Sequence, residues 1–180
     1  MIKRTLAIFF LLPLLFACSQ KEKGEAKSPP AVGVEAGLSA PDFMIKNLRG
    51  GMTSLSQHRG KVVLINFWAT WCAPCREEIP DFIALRARYH ARNVEIVGIA
   101  IDAAAPVKAY AAEMKMPYPI LIGEGPAHEL ARALGNTTGA LPYTVVIDPA
   151  GKIVHRHLGR LPGARLEAIL TPLATLSGAP

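Results

Sequence analysis

Cysteine is scarce in this chain: Cys18, Cys72 and Cys75 are the whole complement. A structural zinc site built on thiolates needs more of them than that. The five histidines (His58, His90, His128, His155 and His157) show no ligand spacing beside Cys72 and Cys75, so a metal site there lacks its remaining ligands. No histidine directly follows Cys75, which excludes covalent haem attachment. A Pro-x-x-x-Thr-x-x-Cys arrangement is missing, which removes a peroxidase reading. Charge of one sign is never concentrated. The formal excess of +6 is scattered, with no basic stripe and no aromatic interleaving, so nucleic-acid binding has no support. Internal repeats are absent, and the longest apolar stretch, Thr5 to Ala17, is too short to span a bilayer as a stable helix.

What that stretch does resemble is an export signal. Met1-Ile2-Lys3-Arg4 forms a basic n-region, Thr5 to Ala17 the apolar h-region, and Leu15-Phe16-Ala17-Cys18 resembles the bacterial lipobox. The expectation is therefore a signal peptide over 1–17, with lipid on Cys18 as the mature N-terminus. An ordinary secretory peptide or an uncleaved anchor are the alternatives, and all three export the domain. With Cys18 lipidated, the odd cysteine count becomes one pair, as an oxidising compartment favours. Loss of Lys3 and Arg4 lowers the charge from +6 to +4. Residues 18–39, rich in Lys, Glu, Gly, Ala, Ser and Pro, read as a flexible linker whose coil spans about 25 Å.

The compact domain is expected over 40–176. Val62-Val63-Leu64-Ile65 is a run of β-formers without alternation, the pattern of a strand covered on both faces. It feeds Phe67-Trp68-Ala69-Thr70-Trp71-Cys72-Ala73-Pro74-Cys75, where a Cys-x-x-Cys stands at the start of a helical pattern expected over 73–91. At such a junction the motif reads as a redox pair more readily than as half of a zinc site. Cys72 falls at the helix start, where unpaired amides favour a thiolate, and Cys75 lies one turn in. A structural disulfide and a metal site remain as alternatives for the same sulfurs.

Before this junction, residues 42–45 and 52–55, separated by Gly50-Gly51, read as a small hairpin. After it come strand 94–101, helix 105–116, strand 118–122, helix 127–134, strand 143–147, a turn at Asp148-Pro149-Ala150-Gly151, strand 152–158 and helix 164–176. The turn makes the last two strands antiparallel. The class is α/β, a mixed β-sheet flanked by helices.

On the helix after the cysteines, Phe82, Leu85 and Tyr89 form the apolar stripe, and Glu78 falls within it. Glu77, Asp81 and Arg88 cluster on a polar face, and Pro80 is expected to kink the helix. A carboxyl on a desolvated face has a raised pKa and can exchange protons with a neighbouring thiol; the plain alternative is a first-turn glutamate complementing the helix dipole.

Trp71-Cys72-Ala73-Pro74-Cys75, Gly139-Ala140-Leu141-Pro142 and the hairpin-plus-helix ending resemble the thioredoxin fold. The N-terminal β-hairpin, the inserted helix around 105–116, and Asn66-Phe67-Trp68-Ala69-Thr70-Trp71 narrow the resemblance to the TlpA/ResA-like branch, over 41–176. That resemblance implies an exported, membrane-tethered thiol–disulfide oxidoreductase in which Cys72 attacks and Cys75 resolves. It implies that Pro142 is cis, with the Leu141 backbone exposed to substrate. It links an acid at position 78 to the acid–base behaviour of the site, because the aspartate of the general thioredoxin pattern is replaced here by Asn66. Ala73 and Pro74 tune the potential and touch substrate, and Cys-Ala-Pro-Cys is similar to reducing members of the branch. Trp71 is expected on the apolar docking surface, whereas Trp68 reads equally as core. The implied partners are protein disulfides, such as apocytochrome c or copper-delivery proteins, and a membrane thiol–disulfide electron donor. No cofactor, no metal and a monomer are expected. An oxidant or isomerase using the same dithiol, or a metal-handling lipoprotein, are the competing readings.

Overall fold

A computed structural model describes residues 37–176; the expected signal peptide, Cys18 and most of the expected linker lie outside the described residues. The element order is β1 (Met44–Lys46), β2 (Met52–Ser54), β3 (Val62–Trp68), α1 (Ala73–Tyr89), β4 (Val94–Ala100), α2 (Ala104–Glu113), β5 (Ile120–Ile122), α3 (Glu124–Ala133), β6 (Tyr143–Ile147), β7 (Ile153–Leu158) and α4 (Gly163–Leu176). Five strands form one mixed sheet in the order β5-β4-β3-β6-β7, with β3, β4 and β5 parallel and β6 and β7 antiparallel to their neighbours. The β1–β2 hairpin pairs separately and reaches the β5 edge through an Asn47–Leu121 bridge.

β3 is the central strand and every one of its residues is buried. Its side chains alternate between two cores, as the pleat requires. Val62, Leu64 and Trp68 face the layer made by α1, α4 and α2, with Phe82, Leu85, Val107, Leu166 and Leu170. Val63, Ile65 and Phe67 face the layer of α3 and the hairpin, with Ala127, Leu130, Leu134, Ile45 and Leu55. The apolar run without alternation is thus explained by helices on both faces.

Several boundaries differ from the expected ones. Leu55 leaves the second hairpin strand and starts a 3₁₀ turn, Leu55–His58, closed by Ser54 and Gln57 as a capping box. α3 starts at Glu124 rather than at 127, because Pro126 sits in the first turn, where its missing N–H is not needed. Leu38 and Ser39, in the stretch expected to be linker, already pair with the β6–β7 turn through Ile153 N–H to Leu38 O (2.9 Å) and a Ser39–Lys152 bridge. The polar face of α1, though still largely exposed, is engaged across the chain: Arg88 bonds Glu167 at 2.9 Å, Glu77 meets Arg160 at 3.4 Å, and Asp81 accepts the Gly163 amide at 2.9 Å. These contacts dock α1 on α4 and the turn before it. Among the described residues no helix is long and apolar enough to cross a membrane.

Gly98 interrupts β4 for a packing reason. A Cβ there would lie 3.2 Å from both Trp68 Nε1 and Tyr118 Cε2, so the missing side chain makes room for two rings of the α1-facing core. Gly98→Val is expected to lower stability by about 1–3 kcal/mol through overpacking. Denaturant unfolding followed by tryptophan fluorescence measures it, and an unchanged midpoint would show that the rings move aside freely.

Candidate active site

The buried β3 ends at Trp68, and within four residues the chain turns into α1, so the start of that helix lies at the C-terminal edge of the sheet. Cys72 is the N-cap of α1, and its Sγ accepts the Cys75 amide at 3.3 Å. Pro74 occupies the first turn, where no intrahelical N–H is lost. Cys72 and Cys75 are disulfide-bonded, with Cα atoms 5.3 Å apart. Cys72 is 5% exposed and Cys75 is 0% exposed, so the expected order of access holds while the outer sulfur is only slightly open. Ala73 and Pro74 are exposed beside it, and Trp71 is 71% exposed. Trp68, 1% exposed, is core; its indole packs on the Tyr110 ring at 5.7 Å, and the Arg76 guanidinium lies 5.4 Å from that ring on its way out to solvent.

The Leu141–Pro142 peptide is cis, as expected. β6 begins at Tyr143, paired with Phe67, so Pro142 comes level with Trp68 at the edge of the sheet that carries the dithiol. Leu141 packs partly against the cluster that holds both cysteines. Its amide and carbonyl have no partner among the described residues, whereas Pro142 O accepts from Gly159.

Glu78, one turn beyond Cys75, is fully buried, as its place on the apolar stripe predicts. Oε1 accepts from Asn66 Nδ2 at 2.8 Å and Oε2 from the Leu161 amide at 3.0 Å. Asn66 Nδ2 also reaches Thr144 Oγ1, its cross-strand neighbour, at 3.2 Å. Burial pushes the carboxyl up from its ordinary 4.5 to about 7, although the bonds from Leu161 and Asn66 and the Arg160 charge pull it down. The group can therefore hold or release a proton near neutrality. Asn66 signalled this network in the sequence, since an amide inside an otherwise apolar buried strand needs partners.

One support carried no motif of its own. Asp102, at the end of β4, accepts from both the amide and the hydroxyl of Thr70 through Oδ2, and from the Ala103 amide through Oδ1. It ties the segment leading to Trp71 and Cys72 to the start of α2. Burial opposes the charge of Asp102, but the Thr70 and Ala103 bonds outweigh it and hold the carboxyl below its usual range. Among the described residues no group of three or more His, Cys, Asp or Glu side chains is placed to share a metal ion.

The family model described as AhpC/TSA family matches residues 36–156. The chain belongs to that family. It is 32% identical over 139 residues to "Thiol-disulfide oxidoreductase ResA" of Bacillus cereus, covering 76% of this chain and 78% of the relative. It is also 32% identical over 171 residues to "Thioredoxin-like protein YneN" of Bacillus subtilis, covering 93% and 96%. A solved thiol:disulfide interchange protein of the thioredoxin family from Chlorobium tepidum superposes with a TM-score of 0.69 at 29% identity, covering 79% of this chain and 99% of that one. This AhpC/TSA-family chain is a thiol–disulfide oxidoreductase of the thioredoxin superfamily, and Cys72–Cys75 is the cysteine pair that its fold places at the edge of the sheet.

The raised Glu78 carboxyl fixes the sign of a pH effect. Its unfolded form ionises near 4.5, while the folded form keeps its proton up to about 7. Stability contributed by this group is complete below the unfolded value and falls as pH rises through the window between the two, by up to about 3 kcal/mol. In the oxidised protein, where the cysteines do not titrate, the wild-type melting temperature should fall from about pH 5 to about pH 8 more steeply than that of Glu78→Gln. Parallel curves would assign the pH dependence to other groups. Asp102→Ala should cost about 1–3 kcal/mol, since it strips one acceptor from two Thr70 donors. The check is a lowered denaturant midpoint with an unchanged slope.

Proposed function

We propose that the protein is an exported reductase of protein disulfides, held at a membrane by lipid on Cys18. The observation that carries the catalytic part is the position of Cys72 Sγ, at the N-cap of α1 and bonded to by the Cys75 amide. Such a site stabilises thiolate on Cys72 over Cys75. In the dithiol form the Cys72 thiolate attacks one sulfur of a substrate disulfide; that S–S bond breaks, the other substrate sulfur leaves as thiolate, and a mixed disulfide forms. Cys75, deprotonated by Glu78, then attacks Cys72 Sγ and releases the second substrate thiol. Two electrons have passed to substrate, and the pair is left oxidised, as in the structure described here.

Leu141 supports the choice of substrate class. Its backbone, unpartnered among the described residues, can pair with an extended segment, and Trp71, Ala73 and Pro74 are exposed around Cys72 to meet the same substrate. Apocytochrome c or copper-delivery proteins are the substrates that the TlpA/ResA-like resemblance offers, with a membrane thiol–disulfide donor returning the electrons. The lipobox-like Leu15-Phe16-Ala17-Cys18 supports export and tethering.

Cys75→Ser should trap a mixed disulfide through Cys72, whereas Cys72→Ser should trap none. Non-reducing electrophoresis with mass spectrometry of the adduct reads both. Capture through Cys75 instead would invert the assignment. The reduction potential of the pair fixes direction: a value near or below about −200 mV supports reduction, and one near that of strong periplasmic oxidants, about −120 mV, overturns it.

A further inference from the structure

We infer that Asn136 is a positioning residue for substrate, holding the loop before Pro142 in the shape that offers the Leu141 backbone to an extended disulfide-bearing segment. This rests on the proposed docking of substrate at Leu141.

Asn136 is 3% exposed, although it sits in a polar loop between α3 and β6. Its own amide bonds the Ala131 carbonyl at 2.8 Å, which fixes the residue to the last turn of α3. The carboxamide then uses both of its ends. Nδ2 donates to Ala140 O at 2.9 Å, and Oδ1 accepts the Gly139 amide at 3.0 Å and the Thr138 hydroxyl at 3.2 Å. Three consecutive residues ahead of Leu141 are thus tied to one buried side chain. Gly139, at φ +71°, takes the left-handed turn that brings its amide inward, a conformation glycine adopts without cost.

The chemistry explains why the residue is asparagine. A donor and an acceptor must stand on one planar group, facing a carbonyl and an amide of the same loop. Aspartate keeps the size and the acceptor but sets a carboxylate oxygen against the Ala140 carbonyl. The loop then loses the bond nearest Leu141. Leu141 N–H and C=O have no partner among the described residues, so the segment is held for a ligand by its neighbours: the Asn136 carboxamide on one side, and the cis-proline junction with its Gly159 N–H to Pro142 O bond on the other. Neither cysteine nor Glu78 touches Asn136, so the effect belongs to substrate alignment and leaves the redox centre alone.

The test uses the whole domain with its Cys72–Cys75 pair and a disulfide-linked peptide long enough to lie along Leu141. Asn136→Asp should raise KM for this peptide about tenfold, equivalent to ~1.4 kcal/mol, while kcat and the reduction potential of the pair stay as in wild type. A small aromatic disulfide, too short to pair with Leu141, should show a much smaller change. Equal losses with both disulfides, or an unchanged KM for the peptide, would overturn the inference. Should Asn136→Asp fail to fold, Thr138→Val decides, because Thr138 is exposed and its hydroxyl is one of the carboxamide's three partners. A raised peptide KM supports the assignment there and an unchanged one refutes it. If Cys72 is not the nucleophile at all, Cys75→Ser fails to trap a Cys72 adduct with either disulfide, a result distinct from a KM change.

Discussion

The first amides of a helix lack partners within it, and at the start of α1 the group that meets one of them is a sulfur. Cys72 Sγ takes the Cys75 N–H, while Pro74 has no N–H to offer and the Arg76 N–H bonds the Cys72 carbonyl. This arrangement depends on where β3 delivers the chain. A strand buried on both faces has no freedom to slide, because a shift of one residue would exchange the contents of the two cores. Trp68 must therefore end in the α1-facing layer, and the short segment Ala69–Trp71 must turn the chain before the helix starts. Asp102 holds that segment through two bonds to Thr70.

A carboxyl in the same layer is the second consequence. An unpaired charge in an apolar interface is expensive, so such groups either find partners or neutralise. Glu78 does both: each oxygen has a donor, and burial lifts its titration to about 7. The donors come from a strand and from the turn into α4, so the carboxyl bridges three parts of the fold. Asn66 and Thr144, facing one another across β3 and β6, complete a polar thread through an otherwise apolar core. Cys75 and Glu78 stand one turn apart on α1, both buried, and the proposed chemistry needs a proton acceptor for the inner sulfur.

Much of this was legible in the residues. The run Val62-Val63-Leu64-Ile65, the cysteine spacing, the stripe through Glu78 and the Asp-Pro-Ala-Gly turn each obey a local rule, and the structure places them as those rules require. Pro142 needed the family resemblance, since one Leu-Pro says little by itself. Supports made across the chain were not legible. Asp102 reaches back to Thr70, Glu77 meets Arg160, and Arg88 meets Glu167; no periodicity encodes such pairs. Thus the face of α1 that its composition assigns to water is in part an interface with α4. Asn136 belongs with the supports that were not legible, since nothing in its polar Asn-Thr-Thr stretch tells that its carboxamide is buried and shapes a loop.

Two loops flank the dithiol, and each is fixed by one polar side chain: Asp102 for the segment after β3, Asn136 for the segment before β6. Each side chain bonds backbone groups and one threonine hydroxyl, so the shape it imposes depends little on the other surface residues that the loop displays. The edge of the sheet is in that sense built before a partner arrives, which lowers the ordering cost of binding on this side. On the proposed docking, an incoming disulfide supplies the flexibility itself, because its sulfur would meet Cys72 while its chain lies along Leu141. On that proposal the site favours segments that are extended or not yet folded over native disulfides locked in a compact domain. The exposed indole of Trp71 offers apolar contact with few rotamers to lose, which suits varied sequences around the target cysteine. On the proposed docking, selection at this edge acts on backbone shape, with Glu77 already paired to Arg160 and the Arg76 guanidinium lying over the Tyr110 ring.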